Sequence, residues 1–193
     1  MTAQVSDTLI FEGTEFSIAA IEKKWPFKPQ DHGFEPVGMS TACWRGYYCV
    51  YNVNQGGLVL ERLNLGCGEN KPPNWKGIQP RRGEFFKYNN MWEYINVSLP
   101  IGYSGGIIIG YDFIRDFYVH MGFHRPHCYR LVKELIFDDG RLVKNIDHSE
   151  KMGQTRQMIE SASKSSSEDT RTRKEIEQFV EDAFSMSYDK KWA

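Results

Sequence analysis

Three histidines and a cysteine fall close together in this chain, at His120, His124, His127 and Cys128. Imidazole and thiolate are the ligands zinc prefers, so His120, His124 and His127 are the candidate metal-ligating residues. On a continuous strand His120 and His124 share a face and His127 points away. Gly122 and Pro126 indicate a turn instead, and the spacing matches no zinc motif. A second chemistry is nucleophilic. Cys43 could serve as a thiolate, with His120 as base and Asp112 as orienter, if Arg45 lowered the thiol pKa. Buried cysteines more often act as small hydrophobes, and that reading stands beside the catalytic one. A third is recognition. Trp44-Arg45 joins an indole to a guanidinium that can stack on rings and grip carboxylate or phosphate. An arginine paired to a nearby carboxylate explains the same residues. No Gly-x-Ser-x-Gly elbow, His-Glu-x-x-His helix or phosphate-binding loop occurs, and no cofactor is implied.

The elements that must position these groups read as strands. Thr8 to Ile18 form a hairpin around Glu12-Gly13. Lys24 to Gly38, with Pro26, Pro29 and Pro36, is a loop. Tyr47 to Val53 is a central strand, apolar on both faces, and Asn54-Gln55-Gly56-Gly57 turns it into a return strand over Leu58–Leu65. The apolar phase of that return strand shifts by one residue, which predicts a β-bulge near Glu61-Arg62. Gly66 to Gly83 is a long basic loop carrying Lys71, Lys76, Arg81, Arg82 and Trp75. It suits an acidic ligand, or is a solvated excursion. Glu84 to Tyr94 is a short helix or an aromatic patch. Gly105–Tyr111 and Tyr118–Phe123 are read as strands, and Asp138-Asp139-Gly140-Arg141 as the turn of a last hairpin. Gly-Gly-Leu58-Val59 and Gly-Arg-Leu142-Val143 open their return strands in the same way, but hairpin grammar alone explains this.

Beyond residue 150 the composition turns polar. Residues 1–150 are read as one β-rich domain and 151–193 as a polar linker with an amphipathic helix. Ser161 to Thr170 is the linker, and Ile176, Phe179, Val180, Ala183 and Phe184 form the helix stripe. That stripe must dock on the body, on a second copy as a homo-oligomer, or on a partner.

The chain has 193 residues, 40% apolar and 14% aromatic, with a formal charge of −1. One domain with its own core is expected. The charge balance argues against a nucleic-acid partner. No apolar run reaches the length of a membrane span. Nothing resembles a signal peptide and the cysteines show no pairing pattern, so a cytoplasmic protein with reduced thiols is expected.

At Thr41-Ala-Cys-Trp-Arg-Gly-Tyr47 and Tyr118-Val-His-Met-Gly-Phe123 the chain resembles a group of small bacterial proteins with no established activity. The likeness covers roughly residues 8 to 147. It implies a bacterial origin and one compact domain holding both motifs, and it carries over no catalytic residue.

The expected fold is therefore β-rich α+β: a mainly antiparallel, curved sheet or barrel-like sandwich with a C-terminal helix. The expected function is a cytoplasmic binding or interaction module for a protein or small acidic ligand. Its site residues are Trp44, Arg45, Tyr118, His120 and Trp75. The alternative is a small hydrolytic or metal-assisted enzyme using His120 with Arg45.

Overall fold

The computed structural model describes residues 2–68, 70–83, 91–165 and 186–188. Three tight hairpins dominate the architecture. Strand β1 (Thr8–Phe11) turns into β2 (Thr14–Ile21), β3 (Tyr47–Asn54) into β4 (Gly57–Gly66), and β9 (Tyr129–Asp138) into β10 (Arg141–Asp147). Each turn places a residue pair in the left-handed region: Glu12-Gly13, Gln55-Gly56 and Asp139-Gly140. That geometry matches the twist of the flanking strands, and the second residue of each pair is the glycine that tolerates it. Strands β5 (Arg81–Arg82), β6 (Met91–Tyr94), β7 (Leu99–Pro100) and β8 (Gly105–Phe113) complete the sheet.

The strand order is β10-β9-β8-β2-β1-β3-β4-β6-β5, with β7 on β4, and a further pairing of β10 with β4 bends the sheet into a ring. Pairing is antiparallel except between β1 and β3, which run parallel. The ring closes at Arg141 opposite Gly57. There the two hairpin turns that look alike in sequence bond each other reciprocally: Leu58 N–H to Gly140 O at 2.7 Å, and Leu142 N–H to Gly56 O at 2.8 Å. The predicted bulge is present, since Val50 faces Arg62 and Tyr51 faces Leu60, leaving Glu61 as the extra residue. The β-rich α+β class with a curved, mainly antiparallel sheet is thus observed.

Two apolar cores follow from this geometry. The larger fills the ring with Leu9, Phe16, Ile18, Tyr51, Leu60, Ile107, Ile109 and Leu135, among others. The smaller lies outside, over Ala19, Ala20, Ile108, Tyr129 and Val132, and is covered by Met152. Strand β8 is apolar on both faces because it lies between them. Its outer face also carries two glycines. A Cβ at Gly110 would sit 2.4 Å from the Tyr129 ring, and one at Gly106 would sit 1.9 Å from the Tyr188 hydroxyl. Each glycine is therefore a slot for a tyrosine, as glycine inside a strand often marks.

Met152 belongs to helix α1 (Ser149–Ser165). The Asp147 carboxylate accepts the Ser149 N–H at 2.8 Å and starts the helix, satisfying an otherwise orphaned donor. The Ser149 hydroxyl first, and that backbone contact second, hold Asp147 below the usual carboxylate range.

Several local expectations are corrected. Tyr118–Phe123 is not a strand. The chain leaves β8 through a 3-10 turn at Arg115–Phe117, and Gly122, at φ 78°, forms an isolated bridge to Ala3. Both sides of β8 are already taken by β2 and β9, so no sheet edge is open to it there. Met91–Tyr94 is a strand rather than a helix. The serine-rich stretch read as linker is, as far as Ser165, the end of α1. The stripe from Ile176 to Phe184 lies outside the described residues. Met186–Tyr188 returns to the body: Ile21 N–H donates to Met186 O at 2.6 Å and Tyr188 N–H to Ile21 O at 3.1 Å.

Candidate functional site

The Trp44-Arg45 corner is built by the loop before β3. Gly46 turns it at φ +73°, with Val37 backbone only 2.6 Å from where a Cβ would lie. Trp44 and Arg45 then part company. The Trp44 side chain is 52% exposed, while its N–H donates to Gln4 Oε1 at 3.1 Å. Arg45 turns inward. Its guanidinium lies 4.1 Å from the Trp25 ring and 4.7 Å from the Tyr47 ring, with Phe123 at 6.0 Å. It forms a two-pronged ion pair with Asp7, a residue with no exposed surface. Asp7 Oδ1 also accepts the Cys49 N–H at 2.7 Å. Burial works against the charge on Arg45, but the Asp7 carboxylate outweighs it and holds the guanidinium protonated. The carboxylate that pairs with this cation is buried, and among the described residues the Arg45 Nε has no hydrogen-bond partner. Phe123 does bring the second sequence motif to the first, yet the meeting is a packed corner.

The other expected site residues are scattered. Cys43 is buried, donates to Tyr47 O at 3.5 Å, and has its thiol pKa pushed up by burial. That is the reverse of an activated nucleophile. Asp112, at φ 59°, pairs with Arg130 on the surface at 3.4 Å. His120 stacks edge-on with Tyr118 at 5.1 Å, and His124 lies 5.2 Å from the other side of that ring. His127 sits on Phe117 instead, at 5.7 Å. No hydrogen bond, ion pair or ring contact joins His120 to Arg45, Cys43 or Asp112. Among the described residues no three His, Cys, Asp or Glu side chains come together as a metal site. Trp75 is a lid on the ring's core, within 6 Å of Phe27, Phe34 and Tyr94. Its basic loop is tied down in turn, by reciprocal Trp75–Ile78 backbone bonds and by Arg81 on Glu93 at 3.2 Å.

A different group of residues does converge. Beneath α1 lies a cleft of about 320 Å³ lined by Ala20, Arg125, Pro126, His127, Met152, Thr155, Ser187 and Tyr188. Its floor, Ala20 and Met152, is apolar and buried. Arg156, one step along α1, bonds the carbonyls of His127 at 3.2 Å and Tyr129 at 2.8 Å, fixing the wall that carries His127. Burial, with Arg125 and Arg156 adding, pushes the His127 pKa down, so its imidazole is neutral near pH 7.

Behind the cleft is a buried polar network. Tyr188 Oη donates to Glu134 Oε1 at 2.8 Å, and His148 Nε2 lies 2.9 Å from Glu134 Oε2. Burial first, and the bond to Glu134 second, raise the Tyr188 pKa, so the phenol stays protonated. In the sequence His148 has no neighbourhood that points to chemistry, and Glu134 and Tyr188 belong to no motif. One signal was present: Glu134 stands in the outward row of β9 between Val132 and Ile136, an acid among apolar neighbours. Buried acids are paired, so a partner was implied.

A second hollow, about 460 Å³, lies along the ring seam beside Gly57, Gly102, Gly140, Asp139 and Arg141. It is more open, and Leu58, Val59, Pro100 and Ile101 line it together with the turn residues. The α1 cleft combines an apolar floor with convergent polar side chains, the usual composition of a ligand site.

The fold and cleft thus define a ring-shaped β-rich domain with a helix-covered recess on its outer face. No family model, curated protein or solved structure matches the chain.

Proposed function

We propose that this protein is a binding module whose recognition site is the cleft under α1. The observation that carries the reading is the cleft's make-up: an apolar floor of Ala20 and Met152 with Arg125, His127, Thr155 and Tyr188 around it. Its volume falls at the small end of ligand sites, about 300–1,000 Å³. A binding role is favoured over catalysis because the groups that could react are committed elsewhere. Arg45 is held by Asp7, the Cys43 thiol is kept protonated by burial, and among the described residues the ring partner of His120 is Tyr118. A cytoplasmic setting belongs to this reading, supported by four free thiols.

The test is amide and methyl NMR of the full chain against a library of small fragments. Shifts clustered at Ala20, Met152 and Thr155, absent in a cleft-filling Met152→Trp variant that keeps its fold, are expected. A library in which no fragment moves these signals would refute the assignment.

A further inference from the structure

We infer that a pocket on the outside of the ring, over β1, β3 and β4, binds a small zwitterion: an α-amino acid with a short apolar side chain. The pocket holds about 220 Å³ and shares no residue with the cleft under α1. Strand alternation builds its floor. Leu9, Cys49 and Tyr51 point into the ring core, so Thr8, Ile10, Tyr48 and Val50 point out. The parallel pairing of β1 with β3 sets Thr8 beside Val50, and the pairing of β3 with β4 sets Val50 beside Arg62. Ile10 lies opposite Glu15 of β2. The bulge then adds a group. Successive residues of a regular strand face opposite ways, yet Glu61 and Arg62 both line the pocket, because the extra residue of a bulge re-aims the side chains around it. Ile95 and Asn96, from the loop after β6, complete the lining.

The pocket gathers charges of both signs that do not pair with each other. Among the described residues neither Arg62 nor Glu15 makes an ion pair or a side-chain hydrogen bond. The Thr8 and Tyr48 hydroxyls and the Asn96 amide have no hydrogen-bond partner there either. Glu61 Oε1 accepts from the Asn52 amide at 2.8 Å, which leaves Oε2. Burial first, with Glu93 and Cys43 adding, raises the Tyr48 pKa against the pull of Arg62, so the phenol remains a donor at neutral pH.

A simple anion in this pocket meets two carboxylates, and a simple cation meets Arg62. A ligand with both charges close together satisfies each. Its carboxylate takes the Arg62 guanidinium, whose fork matches two carboxylate oxygens, with the Tyr48 and Thr8 hydroxyls as further donors. Its ammonium takes Glu15 and the Oε2 of Glu61. Charge-assisted bonds of this kind are about twice as strong as neutral ones. The side chain lies on Ile10, Val50 and Ile95. At about 30 Å³ per water, the volume corresponds to roughly seven waters, which limits the ligand to about eight non-hydrogen atoms.

The experiment titrates the full chain with valine, with 3-methylbutanoate, which lacks the ammonium, and with valinamide, which lacks the carboxylate. At about pH 6 an α-amino group is protonated. Binding is followed by NMR at the methyl groups of Thr8, Val50 and Ile95, with Ala20 and Met152 reporting separately on the α1 cleft. Valine should move the first set and bind about tenfold or more tightly than either analogue. Arg62→Gln should bring valine down to the level of valinamide, and Glu15→Gln to that of 3-methylbutanoate. Both side chains are exposed, and the comparison of probes on the wild type needs neither variant. If either analogue binds as tightly as valine, the zwitterion assignment is overturned. Silence at Thr8, Val50 and Ile95 from all three probes, or shifts confined to Ala20 and Met152, would overturn the site itself. The reading of the α1 cleft stands or falls on its own signals.

Discussion

Removing the Arg45 guanidinium should unmake the corner that joins the two sequence motifs. In Arg45→Ala, Asp7 stays wholly buried and keeps the Cys49 N–H but loses its counter-charge. Breaking a buried pair from one side costs about 3–5 kcal/mol. Lost stacking against Trp25 and Tyr47 adds on the order of 1 kcal/mol. Against a typical domain stability of about 5–15 kcal/mol, the variant is close to the edge of folding. At about 2–4 °C per kcal/mol for a chain of this size, the melting temperature should fall by roughly 8–24 °C. Urea titrations followed by tryptophan fluorescence measure the loss directly, with Trp25 beside the missing cation as reporter. The sign with pH is also fixed. Burial already holds the folded Asp7 pKa above its unfolded value of about 3.9 with Arg45 in place. The guanidinium lowers it, so removing Arg45 raises it further, and the protonated form is favoured on folding more strongly in the variant. The relative stability this gives is present at acid pH and lost as pH rises through the folded pKa. The gap between wild type and variant should therefore widen from acid to neutral pH. A double variant, Asp7→Asn with Arg45→Met, leaves no buried charge and should recover much of the loss. A cost below about 1 kcal/mol for Arg45→Ala, the scale of a surface pair, would refute the argument. So would a double variant no more stable than the single one.

Two further outcomes follow from geometry. Gly13 and Gly140 both sit at φ near +78°, but a Cβ at Gly13 meets nothing within 4 Å while one at Gly140 lies 2.3 Å from Ile101 O. Gly13→Ala should cost about 1–2 kcal/mol, the left-handed strain alone, and Gly140→Ala clearly more by chemical denaturation, because it also wedges the ring seam. His124 and His127 have pKa values lowered by burial, so the unfolded chain takes up protons first. The part of the stability these histidines control should be constant above about pH 6.5, fall as pH drops below it, and level off under the two folded values. Imidazole NMR titrations should place both histidines below 6.5, and a midpoint above that for either would contradict the packing.

What was legible in the sequence was local. The hairpins at Glu12-Gly13, Gln55-Gly56 and Asp139-Gly140 follow from residues in contact along the chain. So does the bulge at Glu61, because a one-residue phase slip must be absorbed where it occurs. What was not legible is which distant pieces meet. The turns before Leu58 and Leu142 look alike, but nothing local says that they bond each other. The parallel pairing of β1 with β3 depends on the path of the intervening loop. Tyr118–Phe123 has strand-like residues, yet its place beside a sheet already filled on both sides decides its conformation. The site was missed for the same reason. Arg45 and His120 stand out by residue type, whereas the cleft draws on β2, the turn before β9, α1 and Met186–Tyr188. Each contributes one or two unremarked side chains.

The ring has a kinetic side. Strand β2 pairs with β8 through Ile21 opposite Ile107, so an early hairpin waits for a partner made much later. At about 5–20 residues per second, synthesis of the intervening chain takes roughly 4–17 s. Throughout that interval β2 presents Ile18, Ala20 and Ile21 along an unpaired margin. Such margins invite pairing with other chains, so the yield of correctly folded protein should depend on how fast the middle of the chain is delivered.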